Sequence, residues 1–222
     1  MILLLAAEGE EAAALLRRLE GRTQVPGPFP AHRGRFAGKE AAVVQTQVGK
    51  AAAAAATAWA LAAFRARAAF FAGVAGALSP KLKQGDLLVA LDAVQWDVDL
   101  TPFGREPGEL ATGERFVPAD PRLSALLEEA AGAQVGRVAS GDRFVADEAL
   151  ARWIRETFRA DAVEMEGAAA LWTARRFRVP MVLLRVVSDQ ATAGSDVDFA
   201  LFLAEGSERM AAALERAVAR LK

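Results

Sequence analysis

The chain alternates short apolar runs with longer stretches in which apolar positions recur at helical spacing. Ile2–Ala7, Ala68–Ala72 and Met181–Val187 are too continuously apolar to leave one face in water. That is the pattern of strands buried on both faces. Ala41–Val48, Gln134–Ser140 and the longer Asp86–Trp96 are also strand-like, and Asp161–Glu166 reads as extended. Glu8–Leu19 predicts a helix with its carboxylates at the positive end of the dipole. Further helices are predicted from Gly49-Lys50 to Phe64 and over Pro121–Ala131, Asp147–Phe158, Gly167–Arg178 and Val197–Leu221. Gly21–Pro30, rich in Pro and Gly, reads as a loop, as does Ser188–Asp196. Asp97–Pro118 has many turn residues and no period, and a loop this long is usually functional. Strands alternating with helices predict an α/β architecture, a mixed or mostly parallel sheet covered on both faces. No repeat or linker divides residues 1–222, so one domain is expected.

Composition narrows the chemistry. Of 222 residues, 53% are hydrophobic and 25% charged, enough apolar content for a folded core and too much for disorder. The near-equality of 27 basic and 28 acidic residues gives no support for a nucleic-acid or membrane-surface partner. The chain has no Cys, Tyr or Asn, and one His, His32, in the stretch after Pro30, where a solvated loop residue is expected. Disulfides, thiolate nucleophiles and cysteine-type zinc sites are thereby excluded, and a histidine triad or His-rich metal site is disfavoured. Catalysis is left to carboxylates, Arg, Ser and backbone. Met1–Ala7 lacks the basic flank of a signal peptide. The longest apolar run, Ala51–Phe64, falls short of the roughly 20 residues of a membrane span, so a cytoplasmic protein is expected. The missing Asn and Cys and the excess of Arg over Lys fit a thermophile or a GC-rich genome equally.

Four places at predicted strand ends could carry chemistry, since ligands of such folds bind at the carboxyl ends of strands. In an extended Glu164-Met165-Glu166 the two carboxylates share a face, although Glu166 also suits a helix start. Ser188-Asp189 follows a buried strand and has an ordinary turn or cap reading. Arg185 shifts that balance: a guanidinium inside an apolar strand is costly unless a carboxylate cluster pairs it. Glu8, Glu10 and Glu11 suit the first turn of a surface helix, and acids there would repel a phosphate. Gly73-Val74-Ala75-Gly76 and Ser140-Gly141-Asp142-Arg143-Phe144-Val145 allow close backbone approach to a ligand, yet match neither phosphate-loop fingerprint. Phe103, Phe144 and Phe199 could stack on a base, though each also suits a core. There is no GxSxG motif.

Together these segments resemble the purine nucleoside phosphorylase/nucleosidase superfamily, and within it the 5′-methylthioadenosine/S-adenosylhomocysteine nucleosidases. The likeness runs nearly end to end. It is carried by Val163-Glu164-Met165-Glu166-Gly167-Ala168-Ala169, Val187-Ser188-Asp189-Gln190-Ala191 and Ser140-Gly141-Asp142. Gly49-Lys50, Ala72-Gly73-Val74-Ala75-Gly76, Gln84-Gly85-Asp86 and Asp99-Leu100-Thr101-Pro102-Phe103-Gly104 follow in matching order. The resemblance implies a three-layer αβα sandwich, a homodimer, no cofactor or metal, and hydrolysis of an N-ribosidic bond with release of adenine.

By the same likeness Asp189 would protonate purine N7, helped by Ser188. Glu166 would bind the ribose hydroxyls with Met165 against the sugar, and Glu11 would activate water. Glu164 and Arg185 would support that side of the site. Phe144 would hold the base by stacking and Val145 by backbone hydrogen bonds, and Val74, Ala75 and Gly76 would contact the substrate. Val48, Phe199 and, across a dimer interface, Leu100 and Phe103 would line the 5′-substituent pocket. Departures from the family are also visible. Ala6-Ala7-Glu8-Gly9-Glu10-Glu11 stands where the phosphorylases carry a Gly-Asp-Pro phosphate loop, which favours water as nucleophile. A Ser of the glycine-rich segment is Val74, and Arg105 and Ala111 stand where aromatic or Pro residues often flank the 5′ group. The chemistry fits independently: carboxylates stabilise oxocarbenium-like charge, and an acid with a raised pKa is needed for the departing base. The nearest rivals are a futalosine or aminofutalosine hydrolase of menaquinone synthesis, then a phosphorylase. Futalosine hydrolases tend to carry Ser-Asn at the place of Ser188-Asp189.

Overall fold

The computed structural model of the chain describes residues 1–221. In chain order it contains β1 (Ile2–Ala6), α1 (Gly9–Arg17), β2 (Leu19–Gln24), β3 (Ala31–Phe36), β4 (Lys39–Gln45), α2 (Lys50–Phe64), β5 (Ala68–Ala77), β6 (Leu87–Gln95) and β7 (Val117–Pro118). Then follow α3 (Pro121–Ala131), β8 (Gln134–Ser140), α4 (Glu148–Phe158), β9 (Ala162–Glu164), α5 (Gly167–Arg176), β10 (Met181–Asp189) and α6 (Ser195–Arg220). The α/β alternation predicted from the apolar pattern is present.

The sheet departs from a mostly parallel sandwich in two ways. Among the described residues, five strand pairings are parallel and five antiparallel. The pairings β5–β10, β10–β6, β6–β8, β8–β9 and β9–β5 also return to their starting strand, closing a barrel from which β1, β4, β3 and β2 extend. The length of β5 makes this possible. Its Ala68–Phe71 half pairs with β1, and its Gly76–Ala77 end pairs with β9 on the edge that β1 has left. A long, right-twisted strand turns its far end toward a new neighbour.

Every residue of β1 and β5 is buried, as their unbroken apolar runs require. One large core lies along these strands and beneath α1, α3, α5 and α6. A smaller one, with Trp96, Ile154, Phe158 and Val163, sits under α4.

Several element boundaries differ from the predicted ones. Gly21–Pro30 is not all loop: β2 covers Leu19–Gln24 and pairs with β3, which also holds the half-buried His32 opposite Gln24. Five of the six β2 positions are exposed, so an edge strand here has no apolar alternation to announce it. Gly73–Gly76 continues β5 beyond the expected strand end at Ala72, and Ser188-Asp189 is the end of β10 rather than a loop. No helix among the described residues is long and apolar enough to cross a membrane.

Candidate active site

The carboxyl ends of β1, β5, β9 and β10 meet around a cavity of about 360 Å³. Its wall includes Glu8 and Glu11 beyond β1, Val74, Ala75 and Gly76 of β5, and Glu164, Met165 and Glu166 at the end of β9. Ser188 and Asp189 of β10, with Val48, Phe144, Val145 and Phe199, complete most of the remainder. The site lies at strand carboxyl ends, where α/β folds bind their ligands.

Glu11 lies in the first turn of α1, but it is not a solvated surface charge: it is 3% exposed. Its Oε2 accepts the N–H groups of Ala7 and Glu8 at 3.0 and 2.9 Å, and its Oε1 accepts Val74 N–H at 2.9 Å. Burial raises its pKa against these amides and the Arg185 charge, which pull it down. A carboxylate fixed in orientation and moved toward neutrality is suited to proton transfer.

Glu164 and Glu166 divide two tasks that the sequence left open for the pair. Strand geometry stops at Glu164, and Glu166 is the residue preceding α5, at φ −136° and ψ −41°. Glu164, not Glu166, satisfies the helix start, accepting Glu166 N–H at 3.2 Å and Gly167 N–H at 2.8 Å. It also accepts Ser140 Oγ–H, and that hydroxyl oxygen accepts Ala168 N–H. The Glu166 carboxylate is therefore free of its own helix and accepts Gly49 N–H at 2.8 Å. Burial first, then the neighbouring Glu164 charge, pushes the Glu166 pKa up to about 8. Gly49 N–H and Arg185 oppose the rise, and Glu11 adds to it.

The carboxylate partner that the apolar surroundings of Arg185 demanded is Glu164, at 2.7 Å from Nη2. Nη1 donates to the carbonyls of Phe71 and Leu184, and the guanidinium lies 4.8 Å from the centre of the Phe71 ring. Arg185 is 1% exposed and does not line the cavity. It stands behind Glu164.

Ser188 and Asp189 both line the cavity although they are adjacent in a strand, where neighbours face opposite ways. A break in the β10–β5 register between Val187 and Asp189 turns them to one side. Ser188 Oγ then donates to Asp189 Oδ2 at 2.7 Å, while Asp189 Oδ1 accepts Ala191 N–H at 2.8 Å. The glycines of β5 make room for these acids. A Cβ on Gly73 would sit 2.9 Å from Glu11 Oε1, and one on Gly76 the same distance from Asp189 Oδ1.

The structure thus brings together Glu11, Val48, Val74, Ala75, Gly76, Phe144, Val145, Glu164, Met165, Glu166, Ser188, Asp189 and Phe199. Phe144 and Phe199 meet edge to face with ring centres 5.8 Å apart. Leu100 and Phe103 do not line the cavity of a single chain, and Phe103 is 82% exposed. Sequence reasoning did not assign Ala7, Glu8, Arg143, Val163 or Asp196 to this wall. Glu8 and Arg143 stand inside segments already singled out, whereas Asp196 has no local signal.

The phosphorylase superfamily matches residues 1–219 of the chain. An aminodeoxyfutalosine nucleosidase of Campylobacter jejuni is 35% identical over 91% of this chain and 91% of its own. A 5′-methylthioadenosine/S-adenosylhomocysteine nucleosidase of Staphylococcus haemolyticus is 32% identical over 97% of both. The solved S-adenosylhomocysteine nucleosidase of Streptococcus pyogenes, in complex with 5-methylthiotubericidin, superposes with a TM-score of 0.96 at 33% identity. It covers 100% of this chain and 97% of that one. With a cavity walled by buried carboxylates where such nucleosidases share its fold, the chain belongs to the phosphorylase superfamily, as an N-glycosyl hydrolase of its methylthioadenosine and futalosine nucleosidase branch.

Proposed function

We propose that the protein hydrolyses the N-ribosidic bond of 5′-methylthioadenosine, S-adenosylhomocysteine or both, releasing adenine. The observation that carries this reading is the convergence of Glu11, Glu166 and Asp189, each nearly excluded from water, on one otherwise largely apolar cavity. Asp189 is the general acid that protonates purine N7. Its two oxygens are oriented by Ser188 Oγ and Ala191 N–H, and a carboxyl group retains lone-pair capacity beyond those two contacts. Glu11 activates the attacking water, its orientation set by three amides. Glu166 binds the ribose hydroxyls with Met165 against the sugar, and Phe144 and Val145 hold the base. The carboxylates also favour the positive charge that develops at C1′.

Water rather than phosphate is the nucleophile. Glu8 and Glu11 stand at the end of β1, and the guanidinium of Arg185 is consumed by Glu164 and two carbonyls. The homodimer is part of the same reading, with Leu100 and Phe103 of one chain closing the 5′ pocket of the other; the exposure of Phe103 and Val48 supports it. A cytoplasmic location suits such a substrate.

A second reading, aminodeoxyfutalosine as substrate, is favoured by the name carried by relatives 35% identical to this chain. Both substrates engage the same carboxylates and differ at the 5′ group, near Val48 and Phe199. A panel of methylthioadenosine, adenosylhomocysteine, aminofutalosine and futalosine, with chromatographic identification of the released base and assays with and without phosphate, decides. Fastest adenine release from a thioadenosine, unaffected by phosphate, is the expected result. Strict dependence on phosphate, or turnover of aminofutalosine alone, overturns the first reading.

A further inference from the structure

The Glu166 carboxylate leans on a backbone group that is itself held from outside the cavity. Gly49 has φ 99° and ψ 155°, a conformation essentially restricted to glycine. Its N–H is the one hydrogen-bond donor to the Glu166 carboxylate among the described residues. Gly49 has no side chain to cap α2, and Lys50 N–H, at the start of that helix, donates instead to Asp142 Oδ1 at 2.7 Å. Asp142 belongs to the loop after β8, and a Cβ on Gly49 would come within 3.2 Å of the same oxygen. Asp142 is fixed in turn: its N–H donates to Asp97 Oδ2 at 2.9 Å. Asp97, beyond β6, closes the ring through its ion pair with Lys50 Nζ. Three segments that meet at the mouth of the site are thereby tied around one glycine.

We infer that Lys50, Asp97 and Asp142 are positioning residues, whose ring sets the Gly49 N–H and through it aims the Glu166 carboxylate at the ribose. The inference rests on the reading that Glu166 holds the sugar. No side chain of the ring lines the cavity, so its effect on substrate passes through Gly49. A helix cap alone would change stability and leave substrate binding untouched. Glu166 is more sensitive than that. Glu164 and Glu11 repel its charge, and Arg185, already paired with Glu164, and Gly49 N–H are what favour it. Without the amide the carboxylate loses both its aim and part of the support for its ionised form.

The test compares Asp142→Ala, Asp142→Asn, Glu166→Gln and the Asp142→Ala/Glu166→Gln pair in the full chain, with methylthioadenosine as substrate. Asp142→Ala is expected to raise KM about tenfold with kcat within about threefold, since the lost interaction serves binding. It should also move the ascending limb of kcat/KM to higher pH, because the Glu166 carboxylate is ionised less readily. Asp142→Asn keeps an acceptor oxygen for Lys50 N–H and is expected to restore both readouts. In the Glu166→Gln background, Asp142→Ala should add less than about twofold, the non-additivity of groups acting as one unit.

An equal effect of Asp142→Ala in both backgrounds, or none in either, overturns the positioning role while leaving the ribose role of Glu166 standing. If Glu166→Gln leaves KM unchanged, the ribose reading fails. The positioning role is then judged on whether the Asp142→Ala shift of the pH limb disappears in the pair; its persistence overturns the role. Should Asp142→Ala not fold, Lys50→Met and Asp97→Ala, which open the ring elsewhere, are read by the same criteria.

Discussion

Replacing Gly73 by Ala tests the claim that β5 is glycine-bearing for the sake of the acids beside it. The new Cβ would lie 2.9 Å from Glu11 Oε1, 3.4 Å from its Cδ and 3.5 Å from Oε2. Ordinary van der Waals contact begins at about 3.4 Å, so the carboxylate must retreat by about 0.5 Å. It cannot do so freely, because Ala7, Glu8 and Val74 N–H groups hold it at 2.9–3.0 Å and it is buried. The Val74 bond, next to the substitution, is the first to lengthen out of range. Losing a buried hydrogen bond to a charged group costs about 1.5–3 kcal/mol. At about 1.4 kcal/mol per decade, a water-activating Glu11 disturbed by that much loses roughly 10- to 150-fold in turnover. The assay is steady-state adenine release, with circular dichroism and thermal melting to verify the fold. Gly9→Ala is the control: its Cβ would find nothing nearer than Gln45 Nε2 at 3.9 Å. Turnover of Gly73→Ala within about threefold of the parent would falsify the argument that Glu11 must be held in this place.

Asp189→Asn is expected to keep ligand affinity within about tenfold while turnover falls at least about a hundredfold, the scale of a lost general acid; unchanged turnover removes Asp189 from that role. Glu166, with its pKa raised from 4.5 to about 8, holds a proton in the folded state that the unfolded chain has released. Its contribution to stability is therefore complete below about pH 4.5 and is lost as pH rises through 8. Melting temperature should fall between pH 5 and 8.5 and fall less in Glu166→Gln; parallel curves for the two proteins contradict the assignment. Arg185→Met leaves Glu164 buried without its cation, and removal of one partner of such a pair costs about 3–5 kcal/mol. Adding Glu164→Gln should recover part of that loss in denaturant melts, and a double variant no more stable than the single one would count against the pairing.

Much of the site is legible in the sequence alone. Arg185 inside an apolar strand demanded a carboxylate, and Glu164 is that partner. The small residues of Gly73-Val74-Ala75-Gly76 announced close approach of something to the backbone, but what approaches is a pair of protein carboxylates as well as the cavity. The acids after β1 looked like a surface helix start, and one of them, Glu11, is instead buried. Helix-turn position is a local property, whereas burial depends on which distant strand lies alongside, here Val74 of β5.

The sequence by itself determined the buried strands and the helices: long apolar runs become buried strands because a backbone with apolar side chains on both faces is stable only inside a sheet, whereas β2, β3 and the two-residue β7 contain no such run. It also determined what chemistry was available, since a chain without Cys and with one His is left with carboxylates, Arg, Ser and backbone. Only the tertiary structure decided the closure of β5, β9, β8, β6 and β10 into a barrel, because pairing partners and twist are set by contacts far apart in sequence. It alone decided the register break that turns Ser188 and Asp189 to one side, and the division by which Glu164 caps α5 and releases Glu166. Those outcomes depend on where a neighbouring strand or amide stands in space, to tenths of an ångström, and no local pattern of residues encodes that.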